Sequence, residues 1–178
     1  MSNFQDRTNY FKTIATKNKL VAHSAVIAEG QTRFSFHRIN DEAELNSACV
    51  NWAHFPCMVH IGNNINYRQN GTGLPMKMIG NHLYFLTTLD STTHPFKSDA
   101  IQAAYEDAEK VMDQAIAYMI EDVAENGTCG NNLFMFDMNR AKADMIGPIN
   151  EVLYGWYLVF IDEAPGYTFK YNANDWNI

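Results

Sequence analysis

The stretch Ser98 to Glu125, SDAIQAAYEDAEKVMDQAIAYMIEDVAE, decides the fold class. Ile101, Ala104, Tyr105, Ala108, Val111, Met112, Ala115, Ile116, Met119, Ile120 and Val123 recur at steps of three and four. Glu106, Asp107, Glu109, Lys110, Asp113, Gln114, Glu121 and Asp122 fill the opposite face. That period belongs to an amphipathic helix, which lays one apolar stripe on a core. Ser98 and Asp99 supply its start and Gly127 its stop. At ~1.5 Å per residue it runs roughly 40 Å, long enough to cross a whole sheet.

Working outward, the segments on either side alternate with period two and so read as strands. His82 to Leu89 sets Leu83, Phe85, Thr87 and Leu89 against Tyr84, Leu86 and Thr88. Both faces are apolar, which predicts the central strand. Cys57 to Ile61 is a compact strand, with Asn63 to Gln69 expected to return as its partner. Residues 65–79, carrying Tyr67, Arg68 and Lys77 around Asn70-Gly71-Thr72-Gly73-Leu74-Pro75, are expected to form a projecting loop. Ala25 to Ile27 and Arg33 to Ile39 flank Glu29-Gly30-Gln31 and read as a half-buried hairpin, Phe34 and Phe36 pointing one way and Arg33, Ser35 and His37 the other.

Asp41-Glu42-Ala43-Glu44 fits a capping box for a short helix reaching about Trp52. Phe4, Arg7, Phe11, Ile14 and Ala15 mark an N-terminal helix from Asn3 to about Lys19. After the long helix, Leu133 to Met138, Tyr154 to Asp162 and Tyr167 to Tyr171 read as closing strands, with Ala164-Pro165-Gly166 as a hairpin turn. The expected fold is α+β: one domain over 1–178, a mostly antiparallel sheet, the long helix at about 98–126 packed across it, and a tail at 172–178.

The composition narrows function by exclusion. Thirteen Lys and Arg against 20 Asp and Glu give a net charge of -7, with no cluster of basic residues, so no backbone-tracking or sequence-specific nucleic-acid surface is expected. No apolar run approaches the ~20 residues of a membrane span. Cys49, Cys57 and Cys129 follow no disulfide framework and suit a reducing compartment; the N-terminal Met1 to Asp6 lacks signal-peptide character.

Cys49, His54, Cys57 and His60 could in principle hold zinc, but they lack paired ligand spacing, and Cys57 and His60 would project from opposite faces of one strand. Cys129 would need a histidine base beside it to act as a nucleophile, and it sits in a helix-stop loop, Gly127-Thr128-Cys129-Gly130-Asn131. The carboxylate pairs on the long helix read as a solvated face, and the glycines at Gly71, Gly73 and Gly80 give no phosphate-binding fingerprint. No catalytic residue, metal ligand or cofactor follows from these patterns. Two other classes stay open: a thiol or metal-dependent enzyme using Cys129 or His54, Cys57 and His60, and a ligand- or peptide-binding module using a groove between sheet and helix beside Met112 and Met119.

The order of a leading helix, the strand pair around Cys57 to Arg68, the strand His82 to Leu89, the helix Ser98 to Glu125 and a last hairpin centred on Pro165-Gly166 resembles tail-terminator and neck proteins of tailed bacteriophages. The resemblance implies a virion protein, assembled in the bacterial host cytoplasm as a head-tail connector, that forms a homo-oligomeric ring of about six or twelve subunits without cofactor or enzymatic activity. It further implies that residues 65–79, with Tyr67, Arg68 and Lys77, reach the next ring or tail tube, and Trp176 in the tail is a second interface candidate. An acidic lumen would repel passing DNA. Residues 139–154, expected as an insertion, and the Trp176 tail depart from the pattern; a bacterial cytoplasmic protein of similar build is the alternative.

Overall fold

The computed structural model describes residues 4–45, 47, 54–69, 75–90, 92–94, 96–126 and 136–164. It is an α+β fold built from α1 (Phe4–Lys17), β1 (Val26–Ala28), β2 (Gln31–Thr32), β3 (Phe36–Ile39), β4 (Cys57–Gln69), β5 (Pro75–Thr88), α2 (Lys97–Asn126), a 3₁₀ turn at Met138–Arg140, β6 (Lys142–Ile149) and β7 (Leu153–Ala164). The main sheet runs β3-β4-β5-β7-β6, so β5, the strand apolar on both faces, is its middle. All neighbours are antiparallel except β3 and β4, which run parallel.

The sheet is sandwiched by two cores. On one face α1 and α2 pack Phe11, Ile14, Val111, Met112, Ala115 and Met119 against Phe36, Met58, Leu83, Phe85, Leu158 and Phe160. Ala100, Ala104 and Ala108 are buried at one-turn intervals, and side chains this small let the helix axis approach the strands closely. Trp156 Nε1 donates to the Tyr105 carbonyl at 3.2 Å, fastening β7 to α2. On the other face Ile39, Leu45, Cys57, Val59, Ile61, Tyr84, Leu86 and Leu153 form the second core. Each large side chain so buried contributes about 1.5–3 kcal/mol.

Four expectations about the strands need correction. Asn63 to Gln69 does not fold back on Cys57 to Ile61; both belong to β4, which passes through a bulge between Ile61 and Asn64 and pairs with β5. The hairpin at Glu29-Gly30 is real, with Gly30 at φ 73°, but it joins only β1 and β2. The chain then leaves it. Phe34 is 55% exposed, Ser35 and Phe36 are buried, and Phe36 to Ile39 crosses to the main sheet beside β4. A parallel pair needs a crossover, and residues 40–56 provide it. At its start Asp41 Oδ1 accepts from the Glu44 N–H at 3.1 Å, while Glu44 Oε2 accepts from the Asn40 N–H at 2.9 Å, a reciprocal arrangement close to the expected capping box. Most of the helix expected from there to Trp52 lies outside the described residues.

Residues 139–154 are not an insertion. Lys142–Ile149 is the edge strand β6, joined to β7 by a turn in which Asn150 and Glu151 both have positive φ, 50° and 67°. With Ile149 opposite Leu153 the loop has three residues, Asn150 to Val152, and Asn-Glu signals its two successive left-handed residues less strongly than Asn-Gly would. Of the expected strand Leu133 to Met138, Met138 instead opens the 3₁₀ turn, capped by Asp137. The turn at Pro165-Gly166, the strand Tyr167 to Tyr171 and the tail lie outside the described residues.

Candidate functional site

Among the described side chains, the members of the two core clusters from β4 and β5 lie between Cys57 and Ile61 and between Leu83 and Leu86, and the β4–β5 hairpin continues past them. The two strands pair from Cys57 opposite Leu86 to Gln69 opposite Pro75. On the outer side of β4, β3 reaches only from Met58 to Ile61. From Asn63 to Gln69, β4 therefore has no strand on that side among the described residues, while β5 is backed by β7 as far as Lys77 opposite Ala164. The loop expected at 65–79 is thus mostly strand: Ile65 to Gln69 and Pro75 to Ile79 are paired, and residues 70–74 lie outside the described set.

Of the expected interface residues, Tyr67 and Lys77 are register partners and Arg68 stands opposite Met76. The Lys77 side chain is half-buried; the side chains of Tyr67 and Arg68, and all of Trp176, lie outside the described residues. An open strand edge offers unpaired backbone N–H and C=O groups to any strand that approaches it. Here the edge sequence is Asn63-Asn64-Ile65-Asn66-Tyr67-Arg68-Gln69.

A second cluster sits on the outer face of the sheet, where pattern reading placed nothing. Tyr84 and Tyr157 are opposed across β5 and β7, with ring centroids 4.6 Å apart. Tyr84 Oη donates to Glu42 Oε1 at 2.6 Å, and His82 Nδ1 meets the Tyr157 hydroxyl in a short hydrogen bond. Burial, then the hydrogen bond and charge of Glu42, holds the Tyr84 hydroxyl far above its usual range. Tyr157 is raised by burial and by Glu42, and burial lowers His82 against the opposing pull of Glu42. Both phenols therefore stay protonated and His82 stays neutral at pH 7. The Tyr84–Glu42 bond ties Glu42, at the start of the crossover, onto the strands. His82 and Tyr84 share a face by their spacing, but the register that adds Tyr157 is invisible in the sequence.

The residues considered for metal or thiol chemistry are dispersed. Cys57 packs in the outer core, and His60 lies on the helix face, its Nδ1 3.3 Å from Thr8 Oγ1 and its ring 4.8 Å from that of Phe11. His54 Nδ1 accepts from the Phe34 N–H at 3.1 Å, and the His54 N–H donates to the Phe34 carbonyl. Among the described residues no three His, Cys, Asp or Glu side chains gather as a metal site. Cys49 and Cys129 fall outside the described set. Met112 and Met119, considered as a guest site, are 5% and 0% exposed and fill the helix-face core.

His23 was also missed. It is buried between Ala22 and Ser24, both at positive φ, and its Nδ1 accepts from the N–H groups of Ser35 and Phe36 at 3.2 and 3.1 Å. It thereby satisfies two backbone donors where the chain leaves the small hairpin for β3, and burial, with Lys12 and His37, lowers its pKa.

The chain matches no protein-family model, no curated protein and no solved structure. No helix among the described residues is long and apolar enough to cross a membrane.

Proposed function

We propose that this chain is a ring-forming structural subunit of a phage head-tail connector or tail terminator, acting through protein surfaces. The observation that carries the reading is the β4–β5 arm, in which β4 from Asn63 to Gln69 has no strand on its outer side among the described residues. An extended strand with an open edge can recruit a neighbouring sheet by strand addition. A leading helix, strands and the long helix α2 follow in that order, which supports the reading, and Tyr84 on the outer sheet face holds the crossover through Glu42. On this reading the arm contacts the next ring or the tail tube, with Tyr67, Arg68 and Lys77 at the contact.

The test is native mass by light scattering with negative-stain imaging over a range of concentrations. A closed ring of about six or twelve copies is expected. A variant with residues 66–78 replaced by a two-residue turn is expected to keep the ring and lose binding to tail-tube or neck protein. A chain that stays monomeric and binds neither partner overturns the reading.

A further inference from the structure

Between Arg7 and Glu29 the chain carries Lys12, Lys17 and Lys19 and not one acidic residue, although the whole protein has a net charge of -7. Two of these lysines line a groove of about 500 Å³ where the end of α1 meets α2, together with Asn18, Leu20, Gln114 and Tyr118. The groove is held in shape. Asn18 Nδ2 donates to Gln114 Oε1 at 3.0 Å, and Asn18 Oδ1 accepts from the N–H groups of Leu20 and Val21 at 2.9 and 3.1 Å. Lys17 Nζ donates to Tyr118 Oη at 2.9 Å and stands 5.1 Å from the centre of that ring, so its ammonium is positioned with two N–H groups still to give. Asp122, the nearby carboxylate, accepts from Tyr10 Oη at 3.0 Å. Leu20, 40% exposed, adds an apolar rim.

The same chain presents the complementary surface elsewhere. On the outer side of α2, Glu106, Glu109 and Asp113 succeed one another at steps of three and four, and the stripe continues through Ala117 to Ile120. All five are exposed, Ile120 by 40%. Gln114 and Tyr118, which line the groove, lie on a different side of the helix from Asp113 and Ala117, so one copy cannot satisfy its own groove with its own stripe.

We infer that this groove receives the α2 stripe of a second copy, Glu109 and Asp113 meeting Lys17 and Lys19 while Ile120 packs on Leu20. The inference rests on the assembly reading above and names the lateral contact within the ring, separate from the arm. Groove and stripe are different surfaces, so the contact is heterologous: each copy gives one and receives the other, and repetition closes a ring or extends a filament. Lys17, held by Tyr118, is the preorganised group, and charge pairing of this kind favours encounter and register over raw affinity.

The experiment uses two full-length double variants, Lys17→Glu with Lys19→Glu, and Glu109→Lys with Asp113→Lys, checked for folding by circular dichroism. Native mass is read for the wild type, each variant alone and an equal mixture. Wild type is expected to assemble and to lose mass as salt rises from about 0.05 to 0.5 M. Each variant alone is expected to be monomeric, and the mixture to regain the assembled mass, because reversed groove and reversed stripe are again opposite in charge. Should a reversed variant misfold, Lys17→Gln with Lys19→Gln and Glu109→Gln with Asp113→Gln replace the pair, each expected to lower the assembled fraction at least tenfold at a fixed concentration. Variants that assemble like the wild type, or a mixture that stays monomeric, overturn this contact and leave the assembly reading standing. A wild type that never assembles overturns both.

Discussion

Gly155 lies on β7 opposite Leu86 of β5 and Ile146 of β6. A Cβ placed there would stand 1.8 Å from the Phe85 carbonyl oxygen and 3.0 Å from Leu86 Cα. These are backbone atoms in the middle of the sheet, and no side-chain rotation relieves the clash. For Gly155→Ala, β5 and β7 must part by more than about 1 Å where neighbouring strands lie only ~4.8 Å apart. Two or three ladder hydrogen bonds at about 0.5–1.5 kcal/mol each, with an overpacking cost of about 1–3 kcal/mol, put the destabilisation at about 2–7 kcal/mol. In a chain of this size that lowers Tm by roughly 4–28 °C. Gly30→Ala is the comparison: its φ is 73° but nothing lies within 4 Å of the added carbon, so only the left-handed backbone penalty of about 1–2 kcal/mol applies. Urea unfolding followed by circular dichroism measures both. A Gly155→Ala protein within about 0.5 kcal/mol of wild type, or no less stable than Gly30→Ala, would show that β5 and β7 do not approach in this register.

Three further outcomes follow from the same geometry. Burial lowers the pKa of His23, His37 and His82, so the unfolded chain binds protons first as pH falls; stability should be level above about pH 6.5 and drop below it by up to ~1.4 kcal/mol per pH unit for each histidine, and urea midpoints that rise on acidification would contradict this. Tyr84→Phe and Glu42→Gln should each cost about 1 kcal/mol, with a double variant less costly than their sum; strict additivity would mean that the 2.6 Å bond contributes nothing. Phe11→Ala removes a fully buried ring packed on His60 and Phe160 and should cost about 3–5 kcal/mol, with amide exchange rising first along α1; an unchanged exchange pattern would place α1's anchoring elsewhere.

How much of the candidate surface could be read in advance depends on the range of the interactions involved. Residues 65–79 stood out as a projecting segment because glycines and polar groups interrupt the alternation, yet their strand character depends on pairing between β4 and β5, which no local pattern reports. The opposition of Cys57 and His60 was legible, since neighbours three apart on a strand face opposite ways. The Glu42, His82, Tyr84 and Tyr157 cluster was not, because it joins three segments. Nor was the lysine groove, whose two walls come from helices about a hundred residues apart in the chain.

By itself the sequence determined whatever depends on periods within one element. α2 follows from apolar steps of three and four, although it begins at Lys97, ahead of the expected Ser-Asp start, and the expected glycine stop lies outside the described residues; β5 takes the sheet's middle because both of its faces are apolar. Tertiary structure alone decided how the strands join: Phe36 to Ile39 leaves its small hairpin to lie parallel to β4, Cys57 to Gln69 continues as one strand across a bulge, and Lys142 to Ile149 becomes an edge. Strand partners are chosen by burying two faces at once and by satisfying backbone donors from distant segments, as His23 does for Ser35 and Phe36. Those terms exist only when the whole chain is folded, so no window of sequence contains them.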